Sequence, residues 1–102
     1  MAIEIQGEAY DFKFTPFRVE MIEKAIGKSL VGAFVQSSGM MPLGELKTIF
    51  IQGLKKDGGG YILQKTGEQA FYQVIEDIGY GPLASMIFEA IERDCPFFFQ
   101  EA

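Results

Sequence analysis

Apolar and polar residues alternate through the first fifteen positions, and the period changes after that. Ile3 and Ile5 share one face against Glu4 and Gln6, then Tyr10, Phe12 and Phe14 alternate with Asp11, Lys13 and Thr15. This period of two predicts two strands. Gly7-Glu8 between them suits a two-residue hairpin turn, with Ile5 facing Tyr10 and Ile3 facing Phe12. The hairpin spans residues 2–15. A lone hairpin is marginal in water, so its apolar face must pack on something.

From Pro16 the period is helical. Thr15 suits the N-cap, Pro16 the first helical position and Gly27 the left-handed stop. Between them Phe17, Met21, Ile22, Ala25 and Ile26 make the predicted inward stripe, with Glu20, Glu23 and Lys24 toward water and Glu20–Lys24 paired four apart. A second helix is expected from Ser29, as cap, through Leu30, Val31, Phe34 and Val35, closing at Ser37-Ser38-Gly39. A third starts near Pro42 and buries Leu43, Leu46, Ile49, Phe50, Gly53 and Leu54, although Thr48 to Ile51 would also suit a strand. Asp57-Gly58-Gly59-Gly60 marks a flexible loop over residues 57–65. Thr66 and Gln69 fit a capping box for a fourth helix with Ala70, Phe71, Val74, Ile75 and Ile78 inward, stopped by Gly79. Pro82 opens a fifth, with Leu83, Met86, Ile87, Ala90 and Ile91 inward, and Cys95-Pro96 ends it. The reading is one α+β domain over 1–102: a hairpin, a helical bundle over 16–95, and a C-terminal tail over 96–102.

Composition narrows the chemistry. The 102 residues contain ten Phe and four Tyr, ample for a core. Nine Lys plus Arg against fourteen Asp plus Glu give a net charge of −5, with no basic stripe of the kind nucleic-acid binders carry. Histidine is absent, so neither a Ser-His or Cys-His nucleophile pair nor a Cys-His zinc site can be built. The lone Cys95 has no internal disulfide partner, which suits a reducing compartment. No apolar run reaches the roughly 18 residues of a membrane span, and Met1-Ala2-Ile3-Glu4 lacks a signal-peptide pattern. A cytoplasmic protein without cofactor or metal, contacting neither nucleic acid nor membrane, is expected.

Four features are candidates for chemistry. Asp57 to Gly60 lacks both phosphate-loop spacings and reads as a connector. The acidic groups Glu76-Asp77 and Glu89, Glu92, Asp94 could bind a divalent cation or do acid–base work. However, helical neighbours diverge by about 100° and Glu89–Arg93 is an ordinary surface pair, so the solvated-face reading outweighs it. Cys95 has no activating base and reads as passive. Phe97-Phe98-Phe99 admits two accounts, one folding two rings under the bundle, the other making them a docking surface. Met40-Met41 in a Gly-flanked loop adds adaptable surface.

The run Ile3-Glu4-Ile5-Gln6-Gly7-Glu8-Ala9-Tyr10-Asp11-Phe12-Lys13-Phe14-Thr15 resembles the opening of the tail assembly chaperones of long-tailed bacteriophages, which reads I-x-I-x-G-K-x-Y-x-L-x-F-T. Glu8 stands where Lys is frequent. The similarity continues through the Glu-containing helix Phe17–Ile26 and Gly27-Lys28-Ser29-Leu30, then through Gly53-Leu54-Lys55, a Gly-rich loop and two closing helices. Related chains occur in gene transfer agents. The resemblance implies a non-enzymatic helper in phage or prophage virion assembly, acting in the host cytoplasm. Such a helper coats the long helical tape measure protein, helps recruit major tail tube protein, self-associates, and is missing from the finished virion. Met40, Met41, Phe97, Phe98 and Phe99 are the candidate contact residues. The alternatives are a structural tail or head–tail joining protein retained in the virion and, far behind, a carboxylate-dependent metal binder or enzyme using Glu76, Asp77 or Glu92.

Overall fold

Local sequence rules settle the first helix. The Thr15 hydroxyl accepts the Arg18 N–H at 3.2 Å, Pro16 occupies the first turn, and Gly27 closes α1 (Pro16–Ile26) at φ 74°. The computed structural model describes residues 3–36 and 40–98. Ahead of α1, β1 (Ile3–Ile5) and β2 (Glu8–Phe12) form the expected antiparallel hairpin. Its register differs from the predicted one: Ile3 faces Tyr10 and Ile5 faces Glu8. The turn is Gln6-Gly7, at φ 54° and 78°, because a left-handed pair twists with the strands.

The rotation of α1 about its own axis is a second correction. Val19 and Ile22 are buried, whereas Phe17, Met21 and Ala25 face outward. Polar anchors fix this rotation against α3 (Leu43–Gly53): Arg18 Nη1 donates to Gln52 Oε1 at 2.8 Å, and Lys28 pairs with Glu45 at 3.1 Å. Arg18 also lies 3.7 Å from the centre of the Tyr61 ring. The expected Glu20–Lys24 pair forms at 3.6 Å.

Helix α2 (Leu30–Gln36) starts as its cap predicts, with Ser29 Oγ accepting from Gly32 N–H at 2.9 Å. Its expected stop at Ser37-Ser38-Gly39 lies outside the described residues. In α3, Leu46, Ile49, Phe50 and Ile51 are buried, so residues 48–51 are helical rather than extended. Leu54 is not part of that helix. It begins β3 (Leu54–Lys56), a third strand that the sequence reading did not contain. It pairs with β2, Phe12 opposite Leu54 and Tyr10 opposite Lys56, giving the order β1-β2-β3.

The predicted flexible loop at 57–65 is hydrogen-bonded along much of its length. Gly59 N–H reaches the Lys56 carbonyl at 2.9 Å, Gly58 takes φ 71°, and Ile62 N–H returns to Leu54 at 2.9 Å. Helix α4 (Gln64–Ile78) begins before Thr66, with Leu63 at the cap position, so the capping box does not form. It buries Gly67, Ala70, Phe71 and Val74 and stops at Gly79 as expected. Helix α5 (Tyr80–Asp94) follows directly, holding Pro82 in its first turn where no intrahelical N–H is needed. It ends at Cys95, and one 3-10 turn covers Pro96–Phe98.

The result is an α+β domain whose three-stranded sheet caps a five-helix bundle. A line of rings joins the two layers. Phe12 stacks on Phe14 at 6.0 Å and meets Phe50 edge-on at 5.7 Å, and Phe50 meets Phe71 at 5.5 Å. Such pairs add about 0.5–1.5 kcal/mol each beyond burial. Among the described residues, no helix is long and apolar enough to cross a membrane.

Candidate interaction surfaces

The two methionines part company. Met41 is 4% exposed within the core, and its carbonyl accepts from Tyr80 Oη at 2.8 Å, while Met40 is 74% exposed. Met41 therefore has little surface to give a partner, whereas the Met40 side chain stands in water. Their surroundings follow from the antiparallel packing of α3 on α4. Phe50 meets Phe71, and one turn further Lys47 Nζ donates to Tyr72 Oη at 3.2 Å. The start of α3 thus lies beside the end of α4. There Leu43, the first member of the core stripe predicted for α3, and Ile78, the last member of that predicted for α4, are left exposed. Together with Met40 they give this end of the bundle an apolar rim.

The phenylalanine run lies at the opposite end. Phe98 is half-buried against the core, Phe97 is exposed, and their rings are 4.8 Å apart. Phe99 lies outside the described residues. Between Tyr80, which holds Met41, and the Phe97 turn runs all of α5, about 22 Å at 1.5 Å per residue. The predicted contact residues do not form one surface. Sequence reasoning also missed a third region, the outward face of α1, where Phe17 is 64% and Met21 38% exposed. Its signal was present: α1 carries apolar residues on both faces, Phe17, Met21 and Ala25 on one, Val19, Ile22 and Ile26 on the other.

The acidic cluster at the end of α5 resolves into separate roles. Glu89, Glu92, Glu76 and Asp77 are exposed. Arg93 does not pair with Glu89; its guanidinium reaches Asp94 at 2.8 and 2.9 Å and also donates to the Phe12 carbonyl. The Asp94 side chain is 4% exposed, accepts the Phe14 N–H at 2.9 Å and pairs with Lys13 at 3.6 Å. Burial pushes this carboxyl's pKa up, but the Arg93 and Phe14 hydrogen bonds and the charges of Arg93 and Lys13 outweigh it, leaving it below its ordinary value. Asp94 is a clamp joining the exit of the hairpin to the end of α5. Beside it, burial and the Asp94 charge push the Cys95 thiol up against a smaller opposing effect of Lys13, so the thiolate is disfavoured.

A shallow concavity of about 440 Å³ lies between β2, β3 and the end of α5, lined by Asp11, Lys13, Lys55, Lys56, Arg93 and Asp94 among others. Three of its four cations are already paired. Lys56 pairs with Glu8 at 2.8 Å, Lys13 and Arg93 share Asp94, and Lys55 stands opposite Asp11 in the sheet register. Little net charge is left to attract an anion. Among the described residues, no three His, Cys, Asp or Glu side chains are grouped to hold a metal ion.

The chain matches no protein-family model, and no curated protein or solved structure is significantly similar to it.

Proposed function

We propose that this chain is a phage or prophage tail assembly chaperone, a non-enzymatic helper that shields the apolar helical length of a tape measure protein and helps bring up tail tube subunits. The observation that carries the reading is the amount of large apolar side chain left in water on an acidic domain. Phe17 and Met21 on α1, Met40, Leu43 and Ile78 at one end, and Phe97 at the other all remain exposed. Exposed apolar groups cost free energy unless a partner covers them, at about 25 cal/mol per Å². The net charge of −5 keeps such a surface soluble until then. The resemblance of residues 3–30 to tail assembly chaperones supplies the identity of the partner.

Co-expression with the tape measure protein that this reading expects to be encoded nearby is the test. The expected result is a several-fold gain in soluble tape measure protein and its co-purification with this chain. Unchanged solubility overturns the reading. Mass spectrometry of purified particles separates the helper from a structural component: a helper is missing, whereas a tail or head–tail joining protein is present in fixed ratio.

A further inference from the structure

We draw no further inference here: the strongest candidate, the outward face of α1 on which Phe17 and Met21 stand exposed, is an apolar surface and nothing in the structure shows what covers it.

Discussion

Replacing Asp94 by alanine removes the acceptor for the Phe14 N–H and the shared partner of Arg93 and Lys13. Phe14 is 1% exposed and the Asp94 side chain 4%, so water does not readily fill the gap. An unsatisfied buried N–H costs about 1–3 kcal/mol, and hydrogen bonds to a charged acceptor are toward the stronger end. Arg93 and Lys13 are about half exposed and water re-solvates them, which holds their share to about 0–1 kcal/mol. The expected loss is about 2–4 kcal/mol, which for a domain of this length lowers Tm by about 10–20 °C. Urea and thermal unfolding followed by circular dichroism measure it. Glu92→Ala, nearby on the same helix and exposed, is the control expected to change stability by less than about 0.5 kcal/mol. The pH dependence has a fixed sign. Asp94 titrates lower in the folded chain than in the unfolded one, so the unfolded state binds more protons in that interval. Its stabilisation is complete above the unfolded carboxylate value, about 3.9, and is lost as pH falls through the lower folded value. Asp94→Ala should flatten that acid limb. A variant that melts with the parent at pH 7 would refute the clamp.

Three further outcomes are expected. Gln6→Asn should stabilise by up to about 1 kcal/mol in urea unfolding, because Gln6 holds φ 54° in a turn where Asn-Gly is favoured. Met41→Ala should cost about 2–5 kcal/mol in the same assay while Met40→Ala stays within about 0.5, since one fills the core and the other stands in water. Gly53→Ala should lose about 1–3 kcal/mol by thermal melt, because its Cβ would run into the buried Phe14 ring.

What the sequence disclosed was what neighbours in the chain decide. Thr15, Pro16 and Gly27 define α1 because caps act within one turn, and Ser29 and Gly79 do the same for their helices. The hairpin's faces were legible but not its register. A slip of two residues keeps Ile3, Tyr10 and Phe12 on the same side, so alternation cannot tell one pairing from the other. Strand β3 was hidden because Lys55-Lys56 has no strand pattern of its own; it is extended because β2, more than forty residues away, supplies its partners. The rotation of α1 was ambiguous, since both faces are apolar and only the anchors to Gln52 and Glu45 choose between them. Asp94 looked like any solvated carboxylate at a helix end. Its partners Lys13 and Phe14 are about eighty residues upstream, beyond the reach of any local pattern.

The fastening of residue 14 to residue 94 also governs when the fold can be completed. The strands are synthesised first, yet the carboxylate that holds the backbone at Phe14 is made almost last. An emerging chain can wind α1 and turn its hairpin, but the exit of the hairpin has no Asp94 to fasten to until α5 has left the ribosome. A polypeptide halted before α5 would leave the Phe14 N–H without the carboxylate that accepts it.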